Sequence, residues 1–248
     1  MYFSGQGKVF IGGRDANGNP LGLRFVGNVP DLKLSLKTDT IEHTESTSGQ
    51  RATDLRLIKK KSADFSCTLE EFTKENLSLV LYGASTQIAA GTVTAEALPS
   101  GLAVGDFVAL KKQKVSSVVV KDSTPVTPLT LVAGTDYILN PDHGSLHILN
   151  LGAYVQPFKV DYSNAAVTNI NMLTQPLPER FIRFEGLNTA DSDVPVLIEL
   201  YRVAIDPLKE LDLISDALAK FALAGSVMID ATKANDAVLG QFGRIVQI

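Results

Sequence analysis

The sequence has 248 residues, of which 45% are hydrophobic and 20% are charged. These values are typical of a globular protein and exclude a disordered or fibrous chain. The formal net charge of −4, from 23 basic and 27 acidic residues, excludes the broadly basic surface with which DNA-binding domains displace counterions.

Two alternating segments predict β-strands in the first third of the chain. In residues 32–40 every second residue is apolar or threonine, and residues 62–70 repeat the pattern. The predicted inner face of the second strand consists of Ala63, Phe65, Cys67 and Leu69. Residues 43–54 between them are polar and exceed the about 2 to 5 residues of a hairpin loop. We therefore predict two strands joined by a long polar loop.

A short helix is predicted after Glu71. Thr73 is a suitable N-cap, Leu77, Val80 and Leu81 fall on one helical face, and Gly83 fits the position after the C-terminus.

Residues 85–175 differ in composition from the rest of the chain. Of these 91 residues, 11 are charged, against 39 of the other 157. The predicted strands of this segment are 107–110, 115–120, 129–132, 137–139, 146–149 and 158–162. We interpret residues 86–174 as a small β-sandwich inserted into a core domain made of residues 1–85 and 175–248.

A second long hairpin is predicted from residues 180–185 and 196–203, joined by the polar turn 188–195.

The C-terminal part is less regular. Residues 209–214 and 221–229 fit strands, although 213–223 also fits a helix. The apolar end, 242–248, would be an exposed edge unless it joins a sheet.

Candidate chemical groups do not assemble into a catalytic pattern. His143 and His147 have metal-motif spacing, but residues 141–144 form a turn, so helical geometry fails and no metal site is expected. His43 is expected at the surface, and Cys67 is expected in the core rather than as a nucleophile. Glu70 and Glu71 lie on opposite strand faces and cannot share a site.

The N-terminal glycines and the lysines at positions 59–61 do not indicate a ligand-binding site. The N-terminal glycines lack the spacing of a phosphate-binding loop and are predicted to form turns; they are Gly5, Gly7, Gly12 and Gly13. Lysines 59–61 are expected to be solvated, or to pair with acidic residues of a neighbouring subunit. With no GxSxG elbow either, we expect a non-enzymatic protein without cofactors.

The lone cysteine precludes an intrachain disulfide, so folding in a reducing cytoplasm is expected. Residues 1–5 do not begin an export signal, and no apolar run approaches the ~18 residues needed to cross a bilayer, so no membrane anchor is expected.

Several motifs together resemble one protein family. In chain order they are GKVFIG (7–12), FVGNVP (25–30), ESTSGQRA (45–52), residues 75–83, VVVKD (118–122), GTDYIL (134–139) and GSVMID (225–230). Their order and character resemble the tail tube proteins (major tail proteins) of tailed bacteriophages.

This resemblance implies a mainly β fold: a β-sandwich or barrel core with one short flanking α-helix, and the inserted β-sandwich on the outside of a tube. It further implies that six copies close a ring, that the hexameric rings stack into a hollow tail tube, and that phage DNA passes through without specific binding. The implied partners are other copies of the chain, the tape measure protein and the tail tip and terminator proteins. The implied location is the virion, after assembly in the host cytoplasm.

The resemblance also assigns an inter-ring stacking loop. Carried onto this sequence, it comprises Thr44, Glu45, Ser46, Thr47, Ser48, Gly49, Gln50, Arg51, Ala52, Thr53 and Asp54. From strand alternation we add the hypothesis that Asp39, Asp64 and Glu70 face the lumen and make it acidic or neutral.

Other functions remain open from the sequence. The tube of a contractile tail or of a secretion-type injection system would share the core fold. A carbohydrate-binding or adhesion β-sandwich is disfavoured by the absence of tryptophan and the 7% aromatic content. A β-barrel hydrolase is disfavoured by the missing acid–base groups.

Overall fold

The computed structural model describes residues 2–248 and confirms a mainly β fold, with 49% of residues in strands and 3% in helix. Two compact units are present: unit 1 is Met1–Ala84 with Ile170–Ile248, and unit 2 is Ser85–Asn169. Each has its own hydrophobic core.

Unit 1 is built on a large antiparallel sheet. Its strands are β1 (Gly5–Arg14), β2 (Pro20–Phe25), β3 (Leu32–Thr44), β4 (Thr53–Leu69), β13 (Glu179–Asn188), β14 (Val194–Ile205), β15 (Phe221–Val227) and β16 (Gly243–Gln247). The strand order is β2-β1-β13-β14-β15-β4-β3, and β16 pairs with β14 beside β15. The predicted second hairpin is confirmed as β13 and β14, which pair from Asn188↔Val194 to Glu179↔Ala204.

The core of unit 1 lies on one face of this sheet. The predicted inner face of β4 is confirmed, since all four of its side chains are at most 3% exposed. Burial raises the pKa of the Cys67 thiol to about 12, so this cysteine is an unreactive core residue.

The predicted helix is present as α1 (Lys74–Val80), and the Thr73 hydroxyl caps it by accepting the Asn76 backbone N–H at 3.2 Å. The predicted end of the helix was wrong in detail. Tyr82, not Gly83, adopts the left-handed conformation, with φ 52°. Gly83 is required instead for close approach, because a Cβ there would lie 1.8 Å from the Asn171 carbonyl oxygen.

Two further predictions need correction. The N-terminal glycines lie within strand β1 rather than in turns. At Gly7 the neighbouring strand approaches closely, because a Cβ there would lie 2.3 Å from the Glu185 carbonyl oxygen. Residues 209–214 form no strand, and 213–223 form no helix. The C-terminal segment joins the sheet, since β16 pairs with β14.

Unit 2 contains two three-stranded sheets and a two-stranded pair. Its strands are β5 (Ser85–Ile88), β6 (Gly91–Ala97), β7 (Phe107–Ala109), β8 (Val115–Lys121), β9 (Tyr137–Asn140), β10 (Ser145–Ile148), β11 (Lys159–Asn164) and β12 (Val167–Ile170). The sheets β7-β10-β9 and β6-β11-β8 both contribute to one core, which includes Leu146 and Phe158. Residues 129–132 are not a strand; a single bridge joins Thr130 to Lys121.

Candidate functional site: a projecting arm

The hairpin of β3 and β4 extends beyond the sheet. Residues 63–67 of β4 pair with β3 on one side and β15 on the other, whereas residues 53–62 pair with β3 alone. We call the two-stranded part, residues 37–62, the arm. A two-stranded ribbon has little stability by itself, so the arm depends on its root in the sheet.

The tip of the arm is shorter than the predicted loop. Thr44 pairs with Thr53, so Thr44, Thr53 and Asp54 belong to the strands, and residues 45–52 form the loop. The predicted strands were too short because the polar residues 43–54, which are typical of a loop, continue the strands of a ribbon that has no buried face.

Glu45 holds the tip together. Its carboxylate accepts the backbone N–H groups of Thr47 at 2.8 Å and Ser48 at 2.9 Å, and the Ser48 hydroxyl donates to it as well. These bonds, led by the Ser48 hydroxyl, lower the pKa of Glu45 to about 2. The backbone N–H of Glu45 also donates to the Ala52 carbonyl at 2.9 Å. The loop is thus internally bonded.

A β-bulge keeps the two faces of the arm in register. Asp39 pairs with Lys60 and Thr40 with Ile58, which leaves Lys59 as the extra residue of β4. Opposed residues share a face of the ribbon, and successive residues alternate.

On the outer half of the arm one face is apolar. Ile41 is opposite Leu57, and His43 is opposite Leu55. We call Ile41, Leu55 and Leu57 the arm patch. These side chains are 53%, 49% and 54% exposed, so about half of each is in contact with water. The sequence prediction missed this patch, although the alternation of Leu55 and Leu57 was a usable signal.

Nearer the sheet the same face is polar. We call it the polar face; its members are Lys33, Ser35, Lys37 and Asp39 of β3 and Lys60, Ser62, Asp64 and Ser66 of β4. The Lys37 ammonium lies 2.7 Å from the Asp64 carboxylate. This hydrogen bond lowers the pKa of Asp64 and raises that of Lys37.

Two of the three residues predicted to face a lumen share the polar face, and the third lies just beyond the end of β4. Asp39 and Asp64 lie on the polar face, and Glu70 directly follows β4 with its carboxylate 2.6 Å from the Lys220 ammonium. The Lys220 hydrogen bond also lowers the pKa of Glu70. Each of these carboxylates lies beside or opposite a lysine, so the polar face is close to neutral.

Other charged groups in unit 1 form structural ion pairs. Arg14 contacts Asp230 at 2.6 Å, and Arg202 donates two hydrogen bonds to Glu179 at 2.9 and 2.7 Å. Glu199, whose side chain is 9% exposed, accepts from two further arginines at 2.7 and 2.8 Å. Since these carboxylates are neutralised by arginines, they are poorly suited to act as general acids or bases.

The two histidines of unit 2 contact different residues. His147 stacks on Phe107 with ring centroids 4.1 Å apart, and His143 bonds to Asn140 in a turn. Within residues 2–248, no group of three or more potential metal-ligating side chains is brought together. The same residues include no helix with the length and apolar character of a membrane span.

A family model matches almost the whole chain. The model of the family described as "Protein of unknown function UCP028589" matches residues 2–246. The chain belongs to this family. No curated protein matches the sequence.

Proposed function

We propose that this protein is a non-enzymatic structural subunit that assembles with copies of itself into stacked hexameric rings, forming a hollow tube like the tail tube of a tailed bacteriophage. The observation that carries the proposal is the arm. A ribbon that projects from its sheet with an apolar patch on one face gains free energy when a neighbouring molecule covers that patch.

Edge strands of the sheet supply a second reason. β2 and β3 end the sheet of unit 1, and each has one side without a strand partner among residues 2–248. Such edges favour pairing with another chain, and closure of a ring removes them. Stacking of rings through the arm would be head to tail and open ended, which produces a filament.

In this proposal the polar face lines the tube and phage DNA passes along it. Its near-neutral charge suits passage, because the carboxylates offset all but one of the lysines and a surface with so little excess positive charge releases few counterions from DNA. The carboxylates Asp39, Asp64 and Glu70 provide this balance.

Removing these carboxylates is expected to make the surface bind DNA. The triple variant Asp39→Asn/Asp64→Asn/Glu70→Gln leaves the neighbouring lysines without opposite charges. Tubes of this variant should therefore retain DNA in a sedimentation assay at low salt, and added salt should release the DNA. Wild-type assembly is the control and should leave DNA in the supernatant. Equal DNA retention by both proteins would contradict the role of the polar face.

The stacking role of the arm is tested by replacing the tip, residues 45–52, with the two-residue turn Asn-Gly, which closes hairpins. The subunit should fold with unchanged circular dichroism and fail to form long assemblies in light scattering. Tubes of normal length from the variant would refute the assignment of this loop.

A further inference from the structure

Strands β15 and β16 lie on the same edge of β14. The opposite edge of β14 is occupied by β13 over residues 194–204. Val203 of β14 pairs with Val227 of β15, and Leu200 pairs with Gly243 of β16. Both strands run antiparallel to β14, so β16 continues the line of β15 after the chain has left the sheet and returned to it.

β4 is paired along the first part of this line only. Its residues 63–69 pair with β15, whereas its residues 53–62 pair with β3 alone. β16 in turn pairs with β14 alone among the residues that the structure describes. The arm strand of β4 and the strand β16 therefore each have one edge of unpaired backbone N–H and C=O groups, and these edges face each other because β16 continues the line between β14 and β4.

A groove separates the two free edges. It has a volume of about 400 Å³, and its walls include Lys61 and Ser62 of β4 and Phe242–Ile245 of β16. Unpaired strand edges on both sides of a groove favour the addition of a strand partner.

Apolar side chains on the two walls are left partly exposed. Leu36 is opposite the buried Ala63, which places it on the core side of β3, yet it is 77% exposed. Ile58 lies on the same side of the ribbon and is 57% exposed. Ile245 pairs with Ile198, which packs against the core of unit 1, and is 62% exposed. The apolar side of the sheet thus continues onto both walls, where water still covers much of it.

We propose that the arm closes over this groove, so that the free edge of β4 pairs with the free edge of β16 and the ladder between β15 and β4 continues along β16. Ile58 lies five residues from Ala63 on β4, and Ile198 lies five residues from Val203 on β14, so Ile58 comes level with Ile245, the partner of Ile198. Closure forms new backbone hydrogen bonds and covers Ile58 and Ile245, both of which lower its free energy.

The arm has a place at which it can bend. Lys59 is the extra residue of a β-bulge in β4, and bulges bend and twist the strand that carries them. Charge does not oppose the movement, because the Arg244 guanidinium of β16 donates to Glu199 at 2.8 Å. Lysines 59–61 therefore approach an arginine that is already neutralised.

The closed arm is an autoinhibitory form of the subunit, and this step rests on the self-assembly proposed above. Closure removes one open strand edge of the arm, so a closed subunit has less to offer a neighbouring copy. Opening exposes the edge again, and the two forms set the fraction of subunits that can assemble.

A disulfide across the closed form tests the proposal. The double variant Ile58→Cys/Ile245→Cys is oxidised at low protein concentration, and the buried Cys67 stays in place. A disulfide within single chains is expected, because opposed residues of paired strands have Cα atoms about 4.5 to 5.5 Å apart, within reach of a disulfide. Both sites are exposed, so the reduced variant should melt at the wild-type temperature.

The matched control is Leu57→Cys/Ile245→Cys. Leu57 is 54% exposed, like Ile58, but lies on the other face of the ribbon. Its Cβ points away from β16 in the closed form, so its disulfide should form at least about ten times more slowly. Closure is refuted if the Ile58 variant forms no disulfide within single chains, if both variants react equally, or if only disulfides between chains form.

Tube formation by the same protein separates closure from the proposed function. The oxidised Ile58→Cys/Ile245→Cys variant should form no tubes, and reduction should restore them to the wild-type level. Tubes of the oxidised protein would show that closure is not inhibitory. If the disulfide forms but neither the reduced variant nor the wild type makes tubes, the self-assembly is wrong and closure stands. If the wild type makes tubes and the disulfide does not form, closure is wrong and the self-assembly stands.

Discussion

Replacing the three residues of the arm patch with threonine should weaken assembly without destabilising the folded subunit. In the variant Ile41→Thr/Leu55→Thr/Leu57→Thr, each side chain loses the apolar area that assembly would cover. Complete burial of such a side chain is worth about 1.5–3 kcal/mol, and about half of each remains exposed in the subunit. The patch therefore contributes roughly 2–4 kcal/mol per arm to assembly.

This loss should appear as a change in critical concentration. At about 1.4 kcal/mol per tenfold, the variant should need a roughly 30- to 1,000-fold higher concentration to sediment as polymer. The melting temperature of the subunit should change little, because the sites are half exposed and threonine is favourable in strands. The matched control replaces Val104, Val126 and Val132, exposed residues of unit 2, with threonine and should assemble normally. An unchanged critical concentration for the arm variant at an unchanged melting temperature would refute the reasoning.

Further variants address the tip of the arm and the core of unit 2. Glu45→Gln should loosen the tip, seen as weaker protection of the Ser48 amide from exchange; in the wild type, whose Glu45 pKa is lowered to about 2, the carboxylate's contribution is complete well above its unfolded value of about 4.3 and is lost progressively as the pH falls from there through about 2. Protection that is lost already between pH 7 and 5 would contradict this. Phe158→Ala should destabilise unit 2 by about 3–5 kcal/mol, since the ring is fully buried, whereas Val119→Ala, at an exposed position of the same unit, should change the unfolding free energy by less than about 1 kcal/mol. Equal effects of the two would argue against the core of unit 2.

The sequence predicted those parts of the fold in which one face is buried. Phe65 and Leu69 alternate with polar residues because β4 is half buried there, and Thr73 has the side chain that a helix N-terminus needs. In both cases a local pattern reports directly on the local environment.

Elements without a buried face were missed. The outer arm has no buried face: Ile41 and Leu57 alternate with polar residues but stay about half exposed, and the polar residues 43–54 were interpreted as loop, so the strands were predicted too short. Leu213 and Ile214 were interpreted as parts of a strand or helix because apolar runs usually pack inside. Their exposure follows from tertiary structure, which local periodicity does not encode.

The charge of the polar face also depended on the fold. Alternation alone placed Asp64 on one side of its strand, but only the register with β3 brings Lys37 to 2.7 Å from it. For the same reason the pairing of Glu70 with Lys220 was invisible, since the two are far apart in the chain. A surface expected to be acidic or neutral is consequently near neutral.

The most direct test of self-assembly is negative-stain electron microscopy of the purified, full-length protein over a range of concentrations. The proposed function predicts rings of uniform diameter and, at higher concentration, hollow tubes built from them. Monodisperse particles of single-subunit size at all concentrations would contradict it.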